Sequence, residues 1–261
     1  LAASALALLL KVFAGWARRR KTQARLATSA DVRREVLYSV STITIFSLVG
    51  LGLYLGRDSG VFQLYLDPVS WRVVIPEFVI MVLIHDAYFY WIHRAMHHPL
   101  LFRRFHRVHH LSRTPTPWAA YAFAPAEAVL EAGILPLVAL VMPVSATAVF
   151  AFTTHMIIRN VMGHAGVELW PRWWLDWPVL RWITTTTHHD LHHEAGRSNY
   201  GFYFTFWDRL MGTEHADYAA RFRRNVSRPA TQALADGPRY SRRLAHGTGA
   251  HDLLDLTDTR L

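Results

Sequence analysis

The 261-residue chain contains no cysteine, which excludes a disulfide framework, an iron–sulfur centre and any thiolate-held metal. Metal chemistry in this protein has to rest on nitrogen and oxygen ligands. No G-x-G-x-x-G stretch offers a cradle for a dinucleotide, no haem-attachment motif is present, and H-E-x-x-H is missing too. No internal repeat is found. Acidic residues are comparatively few, 19 against 28 basic ones, for a net charge of +9. That excess suits a nucleic acid or an anionic membrane surface. The arginines flank apolar runs and form no recognisable reader motif, so nucleic acid is not expected as a partner.

Apolar and aromatic residues are abundant, at 52% and 13%, with ten tryptophans among them. This composition points to a bilayer and its interfaces rather than to water. Residues 36–55 are twenty positions without a charge, enough to cross a hydrocarbon core of about 30 Å. A second apolar run covers 73–92. The region 126–162, broken by Pro136 and Pro143, reads as two further spans meeting near Pro143. Residues 1–16 are apolar but short and carry Lys11; they read as an interfacial helix or a truncated span. Arginines crowd 18–34 and 94–113, whereas 56–71 carries only Arg57, so the two basic segments are expected on the cytoplasmic side. The tryptophan-rich stretch 170–182 suits headgroup level. The fold expected is an all-α integral-membrane bundle of about four spans with a cytoplasmic histidine-rich helical cap. It divides into an apolar and basic segment 1–35, a membrane-embedded domain 36–215, and a polar, solvated tail 216–261.

Thirteen of the sixteen histidines lie between His85 and His193. Six of them, His93, His97, His98, His106, His109 and His110, fall within eighteen residues. His93 and His97 share a helix face at i, i+4, and His106 stands at i+3 and i+4 from His109 and His110. HHDLHH repeats the pattern at His188, His189, His192 and His193. Packing does not ask for clustered imidazoles, which repel when protonated and fill core volume poorly when neutral. A metal does, because imidazole is the commonest metal ligand.

Three stretches, HDAYFYWIHRAMH (85–97), FHRVHH (105–110) and HHDLHH (188–193), resemble the histidine boxes of the fatty acid hydroxylase/sterol desaturase superfamily. NYGFYFTFWDRLMGT (199–213) resembles the stretch that follows the last box there. The resemblance covers roughly residues 70–215. It implies an integral-membrane, non-haem di-iron oxygenase that hydroxylates or desaturates a lipid, such as a fatty acyl chain or a sterol. The reaction would use O2 and electrons from an external ferredoxin or cytochrome with its reductase. It places the protein as multi-pass in a bacterial inner membrane or an ER-type membrane, with the active site facing the cytoplasm. Box matching gives His93, His97, His106, His109, His110, His164, His189, His192 and His193 as ligands to two irons per chain, with no catalytic group beyond the metal centre. Nine imidazoles are too many for one ion and about right for two. Two positions depart from the family pattern: Asn160 and Phe89 stand where many relatives carry histidine. Hydroxylation is favoured over desaturation, because it needs no second positioned hydrogen.

His85, His98, His155 and His188 read as structural histidines more readily than as ligands, and His215, His246 and His251 as solvated ones. Asp86, Asp190 and Asp208 are candidate partners for the outer nitrogens of ligand histidines. Glu127 and Glu131, one turn apart, are either functional or interfacial partners of an arginine. Two readings compete with the oxygenase: a zinc-dependent membrane hydrolase, and a non-enzymatic histidine-rich protein that handles metal. Iron content separates them.

Overall fold

A computed structural model describes residues 1–229, and helices dominate it. Two short helices, α1 (Ala2–Val12) and α2 (Ala14–Arg19), open the chain. The 11 residues of α1 reach about 16 Å, well short of a bilayer core. The segment after α2 is fastened to a loop distant in the sequence: Thr22 N–H donates to the Gly166 carbonyl (3.2 Å) and Glu168 N–H to that of Arg20 (2.8 Å).

A capping box starts α3 (Ser29–Gly56), with Thr28 and Asp31 each satisfying the other's backbone N–H. Its 28 residues extend about 42 Å. The helix is polar on its buried side. Glu35, Ser39 and Thr42, at i, i+4 and i+7, face inward, while Leu37, Val40, Ile43, Leu48, Leu51 and Leu55 are exposed. Ser39 donates to the Trp118 carbonyl (2.9 Å), and the Thr116 hydroxyl donates to Glu35. In water this outward apolar face would be an extreme patch; in lipid it is solvated by its surroundings.

The return passes through β1 (Leu64–Tyr65) into α4 (Trp71–Met96), capped by the Ser70 side chain. Among the described residues, α3 and α4 are the two helices long and apolar enough to cross a bilayer. Beyond α4 come α5 (Pro99–Phe105), α6 (Arg107–His110) and a 3₁₀ turn at Pro117–Tyr121. The apolar region then forms α7 (Pro125–Ala132) and α8 (Ile134–Val141). It turns at Met142 into β2 (Val144–Ser145), which pairs in parallel with β1, and continues as α9 (Ala146–Gly163). Glu77 of α4 locks this end: its carboxylate accepts from Ser145 N–H (3.0 Å) and Oγ (2.6 Å) and from the Tyr65 hydroxyl. The main core lies between α4, α8 and α9, around Met81, Ile134, Val138, Ala148 and Phe152.

The cap is completed by α10 (Thr186–Ala195), α11 (Phe206–Leu210) and α12 (Tyr218–Ser227). The tail expected from residue 216 onward begins instead as this last helix. Tyr218, Phe222 and Asn225 are buried at i, i+4 and i+7, and Tyr218 and Phe222 pack on Leu191 of α10. Arginines at neighbouring positions hid that short stripe from sequence inspection. The rest of the expected tail, with His246 and His251, lies outside the described residues. The tryptophan-rich stretch forms two 3₁₀ turns, Trp174–Asp176 and Leu180–Trp182, and Trp170 stacks on Trp174 with ring centroids 4.1 Å apart.

Candidate metal centre

The end of α4, the α5–α6 elbow, the end of α9 and α10 converge at one end of the bundle and bring nine imidazoles together. They fall into two groups. His93, His97, His106, His110 and His192 form one, and His109, His164, His189 and His193 the other; within each group the nearest ring nitrogens all lie within 4.8 Å of one another. Helix geometry dictates the sorting. Residues four apart share a face, so His93 with His97, His106 with His110, and His189 with His193 enter the same group. Adjacent residues differ by about 100° around the axis, so His109 and His110 part company, as do His192 and His193. The two groups abut, with the His110 and His193 rings 4.9 Å apart. The i, i+3 relation of His106 to His109 joins the groups rather than filling one.

The inner nitrogens are Nε2 atoms aimed at each other. His93 meets His106 at 2.9 Å, and His192 meets His97 at 3.1 Å and His110 at 3.0 Å. In the second group His164 stands 3.2 Å from His109, 2.9 Å from His189 and 3.2 Å from His193. Two nitrogens bound at right angles, each about 2.1 Å from one ion, would be about 3.0 Å apart. Four of the outer nitrogens meet acceptors, three of them backbone carbonyls: His93 Nδ1 that of Tyr200 (2.9 Å), His164 Nδ1 that of Asn160 (2.8 Å), and His192 Nδ1 that of Ser198 (2.7 Å), whereas Nδ1 of His109 and of His193 is buried without a partner among the described residues. His106 Nδ1 meets Glu127 Oε1 at 2.5 Å. An N–H donated outward leaves the lone pair on the inner nitrogen, the tautomer a metal needs. Burial, reinforced by the neighbouring imidazoles, pushes His106, His109, His110, His189, His192 and His193 well below the usual imidazole pKa. By nitrogen spacing, both groups fit a metal ion.

The other singled-out residues stand apart from this set. His85 is buried among Phe89, Phe152 and Phe202, with Nδ1 3.0 Å from the Tyr203 hydroxyl. His155 stacks on Tyr203. His98 is exposed and caps α5, and His188 is wholly buried with Nε2 3.5 Å from Asp208. His215 accepts from Asp217 N–H in a turn (3.1 Å). Asn160 donates to the Ala120 carbonyl (2.6 Å), so its side chain lies outside both groups and its backbone orients His164. None of the three expected aspartates makes a hydrogen bond with these nine histidines. Asp86 accepts from Tyr203 and Phe204 N–H, Asp190 from Gln23, and Asp208 from Tyr200 and Gly201 N–H. The carboxylate that does reach one is Glu127, whose side chain crosses from α7.

Asp208 explains the 199–213 stretch. It grips Tyr200 N–H and Gly201 N–H at 2.8 Å each and accepts from the Thr213 hydroxyl at 2.7 Å. This clamp presents the Tyr200 carbonyl to His93. A Cβ at Gly201 would stand 2.5 Å from the Phe204 carbonyl oxygen and 2.9 Å from Asp208 Oδ2, both too close. Gly201→Ala should therefore cost about 1–3 kcal/mol of stability and lower metal occupancy around His93. Thermal unfolding and metal analysis of the purified variant check this; an unchanged midpoint with full metal content would refute the clamp.

Comparisons with known proteins agree with the geometry. A family model described as fatty acid hydroxylase matches residues 78–213. Rat lathosterol oxidase is 28% identical over 228 residues, covering 83% of this chain and 74% of its own length. Mouse lathosterol oxidase is 30% identical over 188 residues, which are 70% of this chain and 61% of the mouse protein. A Delta(7)-sterol 5(6)-desaturase of Gibberella zeae is 30% identical over 188 residues, 71% of this chain and 57% of the fungal one. No solved structure matches. With the boxes, the closing clamp and more than half the chain under the family model, the protein belongs to the fatty acid hydroxylase/sterol desaturase superfamily.

Proposed function

We propose that the protein is an integral-membrane, non-haem di-iron oxidoreductase that removes hydrogen from an unactivated carbon of a lipid, using O2 and externally supplied electrons. The observation that carries this is the pair of abutting histidine groups with their ring nitrogens converging. His93, His97, His106, His110 and His192 would hold one iron, and His109, His164, His189 and His193 the other. Iron supplies the redox chemistry with O2 that side chains lack. The chain's own residues fix the ring orientations, exclude water and aim the lipid.

Two small cavities flank the histidines. One, of about 20 Å³, is bordered by Arg159, Thr184, Trp170 and His189. The other, of about 10 Å³, is bordered by Phe46, His85, Phe89, Tyr121 and Glu131. Asn160 and Phe202 border both. Phe89 touches the His93 ring (centroids 5.0 Å) and Phe123 the His109 ring (5.1 Å). A lipid entering between α3, α4 and α9 would meet this aromatic wall, and Phe202 is the side chain best placed to swing aside. The family's departures, Phe89 and Asn160, both line the second cavity.

The membrane arrangement belongs to the same proposal. On this reading α3 and α4, with α7–α8 and α9 as two further passes, make about four crossings, and the arginine-rich ends favour a cytoplasmic side for the boxes. A ferredoxin or cytochrome with its reductase would deliver electrons there. The named activities of the relatives favour a sterol-type lipid, and they move the expected product from the alcohol favoured above to an alkene. Removing two hydrogens while one O2 becomes two waters takes two electrons and two protons from outside. Lipid profiling of host membranes under labelled O2 tests this. The expected result is a lipid lighter by two hydrogens with no label; one gaining a labelled oxygen makes the protein a hydroxylase. An unchanged profile with iron-loaded protein and a competent electron donor would refute the proposal.

A further inference from the structure

On the outer side of the cap lies a cleft of about 440 Å³ that the proposed oxidation does not use. Arg25, Arg113, Arg221, Arg224 and Arg228 line it against a single carboxylate, Glu194. Four separate parts of the chain contribute: the segment before α3, the loop after α6, the end of α10 and helix α12. Only Arg221 has its charge answered among the described residues, through Glu194 (3.0 and 3.5 Å). Like charges gathered from three segments repel one another, and surface arginines without a common task would spread out.

The floor of the cleft is built and incompletely satisfied. Asn225 is wholly buried and lines the cleft. Its Nδ2 donates to the Thr187 hydroxyl (3.0 Å), while its Oδ1 has no partner among the described residues. The Nε of Arg221 is also buried without a partner. A buried polar atom left unpaired costs on the order of 1–3 kcal/mol, so this wall is held at a cost beside four arginines that have no carboxylate partner among the described residues. Guanidinium groups match the tetrahedral oxygens of phosphate in paired hydrogen bonds. The cleft is far larger than a simple ion requires.

We infer that this cleft is a binding site for a phosphate monoester, carried either by an anionic lipid headgroup or by a soluble phosphorylated compound. Its rim at Thr22–Arg25 lies a few residues before α3 begins at Ser29, and the lipid source rests on the membrane reading of α3 proposed above. An occupant would tie α12 and the segment before α3 to α10, the helix that supplies His189, His192 and His193. The iron assignment is not required for this inference.

The test uses the full chain purified in detergent and in nanodiscs. Binding of inorganic phosphate to the detergent-solubilised protein is measured by calorimetry. Binding of phosphatidic acid is measured as lipid retained in nanodiscs against a phosphatidylcholine background. The proteins compared are the unaltered chain, the double variant Arg113→Gln/Arg224→Gln, its lysine counterpart, and Arg72→Gln at the opposite end of α4. Phosphate binding that weakens at least tenfold in the glutamine pair, but not in Arg72→Gln, supports a site for soluble phosphates. The same pattern with phosphatidic acid alone supports the lipid source. The lysine pair should retain part of the affinity, which separates lost recognition from lost fold. No binding of either probe, or binding equal in all four proteins, would overturn the site. Because the readout is binding, it can fail while lipid oxidation stands, and the reverse.

Discussion

Replacing His109 by alanine is expected to abolish lipid oxidation and to remove metal from the four-histidine group, while the helices stay in place. His109 is buried on α6 with its Nε2 3.2 Å from that of His164. Losing an outer partner of a bound histidine already costs about 10–100-fold in metal affinity or activity, and losing the ligand itself should cost more. The fall in rate should therefore exceed about a hundredfold. His98→Ala is the matched control. That ring is exposed and only caps α5, so its loss should leave metal and activity intact and cost about 1 kcal/mol at most. Activity assays with metal analysis on both variants check the pair. An active His109→Ala protein would sink the ligand assignment.

The second large effect is expected at Glu127. Its Oε1 stands 2.5 Å from His106 Nδ1, and both side chains are buried. The carboxylate positions the ring and makes the inner nitrogen a better donor. Glu127→Gln keeps size but replaces the carboxylate by a weaker amide acceptor, so metal affinity in the five-histidine group should fall about 10–100-fold. The four-histidine group should remain filled, leaving roughly half the metal bound after mild chelation. Glu131→Gln, one turn away, makes no hydrogen bond to any of the nine histidines and should leave metal retention unchanged. Equal losses in both variants would mean that α7 acts through general packing and not through His106.

Much of the site was legible in the sequence because helix periodicity is a local property. The i, i+4 spacing of His93 with His97 and of His189 with His193 predicts shared faces without any knowledge of the fold. The allocation of His109 and His110 to different groups follows from the same 100° step, yet it needs the helices' relative placement to become definite. Glu127 was visible as a carboxylate in an apolar run, but its partner lies 21 residues away across a helix contact that no local pattern encodes. Asp86, Asp190 and Asp208 were noticed beside the boxes. They instead satisfy backbone and side-chain donors brought in by distant segments, a need that appears only after folding. The two helices long and apolar enough to cross a bilayer, α3 and α4, were readable from apolar length, whereas the break between α7 and α8 at Gly133 was not. On α12, a stripe of three buried residues among arginines was too short to register.

Metal analysis of the purified full chain, with the bound element identified and its stoichiometry measured, bears most directly on the proposed centre. The expected result is about two iron ions per chain, falling in the His109→Ala protein and unchanged in His98→Ala. A single tightly held zinc, or a loosely exchangeable load indifferent to His109, would contradict it.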